Sequence, residues 1–320
     1  PFAYGNYLDF DPRNEIETQG TSLHIDYDFS NFTLTSITAF RTLDQFQSGD
    51  VDFTSARLIL PEAGDFRNTE IETFTQEIRL ASNGDGPLQW VAGAFYFNEE
   101  VVQDETFGLG PDFRSYVDVL LAAAGAPGAL GGVEAALGLP AGAIYATGTG
   151  NQSERYTLDD ETLSLFVQFD YDLTDALTLT AGVNHTQSEK DASANVVNDN
   201  LFGALPLDAL GLGALSAVQF LPPVINYPNS VEDGQSDDSD TTYTVRLAYD
   251  LTSEINVYAG VSTGFKATSW NLSQDSGPIP ADVARLLAAG DPVLPNVGFG
   301  PGAANFAVGT RFADPEESLV

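Results

Sequence analysis

The chain repeats one figure three times. Asp26-Tyr27-Asp28-Phe29-Ser30 leads into Phe32-Thr33-Leu34-Thr35, and Asp170-Tyr171-Asp172-Leu173-Thr174 leads into Leu177-Thr178-Leu179-Thr180. Ala248-Tyr249-Asp250-Leu251-Thr252 likewise leads into Ile255-Asn256-Val257-Tyr258. Each copy reads as a strand, a tight polar turn and a returning strand. A fourth hairpin turns on Asn83-Gly84-Asp85-Gly86-Pro87 between β-rich runs, because Asn-Gly and Asp-Gly supply the positive φ that tight hairpins need. The hairpins are expected at about 19–45, 69–100, 156–190 and 238–268.

The arms alternate with period two, as a strand with unlike faces must. Leu163, Leu165, Val167, Phe169 and Tyr171 alternate with Thr162, Ser164, Gln168, Asp170 and Asp172. Leu23 to Phe29, Tyr243 to Tyr249 and Ile255 to Phe265 follow the same rule. The arm Leu88 to Phe97 is apolar on both parities and Phe32 to Arg41 is mixed, so alternation assigns neither a face.

The connections are strongly unequal. Turns inside hairpins are short, whereas the stretches between hairpins, about 46–68, 101–155, 191–237 and 269–311, are long. Compact soluble domains rarely carry several structureless connections of that length. Short turns at one end and long loops at the other are the habit of outer-membrane barrels. Tyr27, Phe29, Phe169, Tyr171 and Tyr249 all precede a short turn, the place of an interfacial aromatic girdle. Phe95, Tyr96, Phe97, Phe265 and Trp270 lie towards the long loops and are expected to form the opposite girdle.

Composition removes several function classes. The 320 residues carry 12 Lys+Arg against 46 Asp+Glu, a net charge of −34. No basic footprint for nucleic acid exists in such a chain, while 43% hydrophobic residues are too many for a disordered acidic tail. There is no cysteine, hence no disulfide, thiolate metal site or thiol nucleophile. His185 lies on the apolar parity with no serine at the outward positions of the preceding arm and reads as an interfacial residue, whereas His24, among Asp26 and Asp28 on a polar face, reads as a solvated lumen residue; no cofactor, metal or catalytic set is predicted. The acidic run Glu232, Asp233, Asp237, Asp238 and Asp240 lacks the ligand order of a calcium loop and reads as a solvated outer loop. Tyr116 to Ala136 reads as a helical piece in the longest loop.

Several segments resemble the barrel domain of TonB-dependent outer-membrane receptors. Leu34-Thr35-Ser36-Ile37-Thr38-Ala39-Phe40-Arg41 is similar to one barrel segment, and Phe74-Thr75-Gln76-Glu77-Ile78-Arg79-Leu80-Ala81-Ser82 with Leu88 to Phe97 to another. Tyr258-Ala259-Gly260-Val261-Ser262-Thr263-Gly264-Phe265-Lys266 resembles the family's tyrosine-to-GFK strand, and Asp314-Pro315-Glu316 the turn before the next strand. The resemblance implies an all-β, antiparallel transmembrane barrel of about 22 strands, plugged by an N-terminal domain. This chain would supply about eight strands and the start of a ninth, without the plug.

The function implied is uptake of a scarce nutrient, such as a siderophore-iron complex, across a bacterial outer membrane. Its partners would be a TonB-type energy-transducing protein, outer-membrane lipid and lipopolysaccharide, and a small-molecule ligand such as a metal chelate. Alternation nominates Glu77, Arg79, Asn184, Arg246 and Lys266 as polar residues facing the lumen. A passive porin-like channel shares the alternation and loop asymmetry, and a soluble surface β-domain such as an adhesin would need less uniformly apolar outer faces.

Overall fold

The computed structural model describes residues 8, 10–50, 52, 54–60, 67–123, 125–148, 152–198, 232–273 and 311–319, with single positions 201, 205, 209, 211 and 227. Most of the expected connections 191–237 and 269–311 lies outside the described residues. Eight long strands dominate: β1 (Arg13–Asp28), β2 (Phe32–Ser48), β4 (Arg67–Ser82), β5 (Leu88–Leu109), β6 (Gln152–Thr174), β7 (Leu177–Asn198), β8 (Gln235–Thr252) and β9 (Ile255–Lys266). Short strands β3 (Ile59–Leu60), β10 (Ser269–Trp270), β11 (Phe312–Ala313) and β12 (Glu316–Leu319) complete the set, with helices α1 (Phe113–Ala123) and α2 (Ala129–Leu137).

Neighbours in sequence are neighbours in space. One antiparallel sheet runs β1-β2-β4-β5-β6-β7-β8-β9-β12, with β3 added beside β5, and it is not closed on itself. The hairpin turns are small: Thr174 Oγ1 accepts the Ala176 and Leu177 N–H groups, and Thr252 Oγ1 accepts those of Glu254 and Ile255. The same threonine thus closes two of the three repeated turns by the same side-chain bond. Asn83 Nδ2 donates to the Phe29 carbonyl at 3.0 Å and so ties the Asn-Gly turn to the neighbouring one.

The strands run further into the connections than hairpin spacing predicts. β5, β6 and β7 have 22, 23 and 22 residues, where about 9–11 suffice to cross a bilayer. Their outer halves therefore stand clear of any membrane, where charge on either parity is hydrated at little cost. That explains one correction: Asp237, Asp238 and Asp240, read as loop, lie within β8, and Glu232 is buried with its carboxylate accepting the Arg311 N–H at 2.6 Å.

The buried hydrophobic cluster lies in a connection, not behind the sheet. Val117, Leu130, Val133, Ile144 and Tyr145 form it, with Leu109, Phe113 and Leu205 packed alongside. The expected single helical piece is two helices: α1 ends before Gly125, and α2 begins after Gly128 (φ 74°) and stops at Gly138 (φ 68°), left-handed positions that glycine occupies without strain. Gly110 N donates to the Leu58 carbonyl and Arg57 pairs with Asp112 at 3.7 Å, so residues 54–60 join the same cap.

The candidate functional site: a sheltered polar wall

A single-layered sheet shelters one of its faces only if it curls. Here β6 alternates strictly: from Leu163 to Tyr171 the odd residues are exposed, and Thr162 to Asp170 on the even parity are half-buried. The polarity is the reverse of a water-soluble protein. Leu165 is 52% exposed and Val257 46%, whereas Thr180 and Ser188 on the sheltered face are 6% and 2% exposed. Apolar side chains sit on the open side because something other than water must cover them.

The dimensions fit a bilayer. On β6 the outward apolar run spans Leu163 to Leu173, about 33 Å of strand or roughly 25 Å once tilted. It stops abruptly at the next outward positions, Glu161 and Asp159. Leu165 is in register with His185 and Thr241, whose Nδ1 and Oγ1 are 2.9 Å apart. His185 thus marks the upper border of the band. Beyond it the outward residues turn acidic: Glu72, Glu100, Glu161, Glu189 and Asp237.

The girdle residues divide by face. Tyr27, Phe29, Phe169, Tyr171 and Tyr249 all lie on the exposed face beside the short turns, each at least 40% exposed. Tyr27 and Phe29 meet edge-on at 4.7 Å, and Phe29 stacks on Phe32 at 4.6 Å. At the other end the expectation needs correcting. Phe95 and Phe97 share the register rows of Ser164 and Thr162, so they lie on the sheltered face. Trp270 turns away into a cluster with Tyr227 and Phe312, at 5.5 and 5.1 Å.

Register places all five nominated polar residues on one face of the sheet. Glu77 pairs with Phe95 and that with Ser164, Arg79 with Gly93 and that with Phe166, Phe166 with Asn184, Thr180 with Arg246, and Gly264 lies two residues before Lys266 on the same parity. They do not form one cluster. Arg79 Nη1 sits 3.4 Å from Glu77 Oε1; Arg246 lies over the Tyr258 ring at 6.0 Å. His24, beside Asp26 at 3.1 Å, is on this face too.

Asn184 and Lys266 do meet. Together with Thr162, Thr186, Ser188, Lys190, Thr242, Thr268 and Ser269 they line a cavity of about 590 Å³. Lys190 and Lys266 are the only lysines in the chain, and both line it. Lys190 is ion-paired with Asp160. The hydroxyls bond one another: Ser164 Oγ lies 2.9 Å from Thr186 Oγ1, Thr162 donates to Ser188 at 3.1 Å, and Asn184 Nδ2 donates to Thr186 at 3.0 Å. Hydroxyls that both donate and accept make a wall able to exchange these bonds for bonds to water or to a polar solute. Sequence reading missed Lys190; its signal was that the scarce lysines fall on one parity of neighbouring hairpins.

Above the wall, the cap is held by charge. Arg114 contacts both carboxylate oxygens of Glu134, which also accepts the Gly142 and Ile144 N–H groups at 3.0 and 2.9 Å. Burial alone would raise the Glu134 carboxyl, but these four bonds outweigh it and hold it below its ordinary value. Burial pushes the Tyr145 and Tyr227 phenols up.

A sheltered polar face, a lipid-height apolar band outside and a folded cap at one end are the parts of an outer-membrane receptor barrel. The model of the TonB-dependent receptor-like β-barrel family matches residues 1–319. The chain belongs to that family. Members of this TonB-dependent receptor family are outer-membrane β-barrel proteins that serve transport rather than enzymatic catalysis. The ferric yersiniabactin uptake receptor FyuA from Yersinia pestis is similar in fold, with TM-score 0.52 and 16% identity over 83% of this chain and 31% of that receptor. The siderophore receptor PiuA from Acinetobacter baumannii gives TM-score 0.47 and 13% identity, covering 96% of this chain and 37% of that one. The chain thus spans about a third of the solved receptors it matches. No curated protein matches its sequence significantly.

Proposed function

We propose that this barrel segment belongs to a receptor for active uptake of a scarce nutrient such as a siderophore-iron complex. The cap of loops captures the ligand, which then passes along the polar lumen when a plug domain moves. The face carrying Glu77, Arg79, Asn184, Arg246 and Lys266 is the lumen wall, and the apolar band faces lipid, with lipopolysaccharide head groups beside the acidic collar. A TonB-type protein, reaching a region outside this chain, supplies the energy. The observation that carries the reading is the inverted polarity of β6 to β8: hydroxyls such as Thr162, Thr180, Ser188 and Thr242 sheltered, leucine, valine and tyrosine exposed. Shelter of the polar side is what a water-filled interior requires.

Bilayer recording on the full-length receptor tests it against the porin-like alternative. A plugged receptor is closed at rest, and its strain takes up ferric chelates only while the energy-transducing protein is present. Steady open conductance with unchanged growth on ferric chelates would favour the passive pore.

A further inference from the structure

The outer end of the lumen wall carries a second layer. On β6 the sheltered residues Asp160, Thr162 and Ser164 are half-buried, but Gln152, Glu154 and Tyr156, further out on the same face, are buried, as is Ala194 opposite Tyr156 on β7. A curled single sheet half-shelters its concave face and does not bury it, so other chain lies there. Among the described residues that chain comes from two connections. Arg311, from the stretch after β9, is 1% exposed, and its charge acts on the Tyr156 phenol, which burial pushes up. Glu232, from the connection between β7 and β8, accepts the Arg311 N–H at 2.6 Å and lies 3.7 Å from the guanidinium, with both side chains wholly buried. Arg311 also covers the Tyr227 ring at 4.7 Å, Tyr227 meets Trp270 edge-on, and Trp270 packs on Phe312 across the β10–β11 pair. Three bonds moor this knot to the wall: Ala192 N–H to the Gly234 carbonyl at 2.6 Å, Thr268 N–H to Asp238 at 2.9 Å, and Trp270 Nε1–H to Ser236 at 3.3 Å. Its inner end, Ala267, Thr268 and Ser269, completes the lining of the Lys190–Lys266 cavity.

We infer that the knot is a roof on the outer side of this cavity and that the Glu232–Arg311 pair is its fastening, so that the cavity opens outward when the two connections part. The inference rests on the reading that the cavity lies on the uptake path. The chemistry suits a joint that parts and re-forms. An apolar contact forfeits its free energy when water enters. A carboxylate and a guanidinium instead regain the hydration that burial took from them, which offsets much of the cost of separating them. The cavity behind, of about 590 Å³, is of a size that holds a small molecule. A roof held by one ion pair and three aromatic rings keeps a solute there from returning outward.

The segment has no cysteine, which suits single-cysteine labelling of the full-length receptor in right-side-out outer-membrane vesicles, any cysteines elsewhere being replaced. Thr186→Cys and Thr242→Cys report the cavity. Thr75→Cys reports the same face at the same height away from the knot, since Thr75 pairs with Phe97 and that with Thr162. A membrane-impermeant maleimide added outside should label the cavity cysteines at least tenfold faster once Glu232→Gln removes the carboxylate charge, with the Thr75→Cys rate unchanged. Trp270→Ala, which removes the middle ring and leaves the pair, should give the same rise, and it stands in if Glu232→Gln does not fold by heat-modifiable gel mobility. Unchanged cavity rates in either folded variant would overturn the roof, and an equal rise at Thr75→Cys would show a loosened barrel and overturn it too. Uptake reads the path separately. After maleimide treatment, cells with Thr186→Cys should lose uptake of radioactive iron(III), supplied on the chelators that support growth of the parent strain, while cells with the cysteine-free receptor keep it. Uptake that continues through the labelled receptor would overturn the path beneath the roof and leave the roof standing.

Discussion

Arg114 and Glu134 stand twenty residues apart on different helices, and the Arg114 guanidinium grips both oxygens of the Glu134 carboxylate, at 2.6 and 3.0 Å. With the Gly142 and Ile144 N–H groups on the same carboxylate, one buried charge fastens α1, α2 and the return of the loop. Replacing it by Glu134→Ala strands two backbone donors and leaves the guanidinium only the Ile144 carbonyl and Asp118 at 4.0 Å. Removing one partner of a buried pair costs about 3–5 kcal/mol, more than a cap with so small an apolar core can absorb. Limited proteolysis of the full-length receptor should cut within 110–148 while the strands stay intact. Unchanged resistance would show that the apolar cluster alone holds the cap.

The same carboxylate gives the cap an acid limit. Because its folded value lies below the ordinary 4.5, its contribution is complete above that value and is lost as pH falls through the folded one. Protease susceptibility of 110–148 should be flat from neutral pH down to the ordinary carboxylate range and rise below it. The Glu134→Gln variant should abolish that acid step.

Gly93 is where two strands and a ring compete for space. A methyl group there would meet Phe166 Cζ at 2.5 Å and the Ile78 carbonyl oxygen at 2.7 Å. Gly93→Ala should destabilise the barrel by about 1–3 kcal/mol, the usual cost of overpacking. Phe166→Ala in the same chain should recover only part, because the carbonyl contact remains. Urea unfolding in lipid vesicles measures both.

The legible parts of the fold were those where the two faces meet different solvents. Leu163 to Tyr171 betrays its strand because lipid selects one parity and water the other. β5 did not betray its faces, because Phe95 and Phe97 line a part of the sheltered wall that is itself apolar, so both parities carry the same chemistry. Asp237 to Asp240 read as loop because a strand that has left the membrane tolerates charge on either side. The Arg114–Glu134 and Arg311–Glu232 pairs join residues whose proximity depends on loop paths, for which no periodicity exists. Lumen residues were found as a parity, and their grouping around the cavity came only with the register of β6 to β9.

The outward band predicts a depth-dependent penalty. Val167, midway along the apolar run and 43% exposed, faces the bilayer interior, so Val167→Arg should cost about 2–4 kcal/mol in vesicle-based unfolding. Thr186→Arg, on the opposite face, should cost less than half of that. Equal penalties would place both faces in the same medium.

The most direct test of the account is spin-label accessibility along β6, one nitroxide at a time from 161 to 171, in the full-length receptor reconstituted in lipid. Oxygen collisions should peak at 163, 165, 167 and 169 and a water-soluble nickel chelate should not reach those sites, giving a period of two with the odd positions in hydrocarbon. Nickel access on the odd positions, or no periodicity, would contradict a barrel whose apolar face meets lipid.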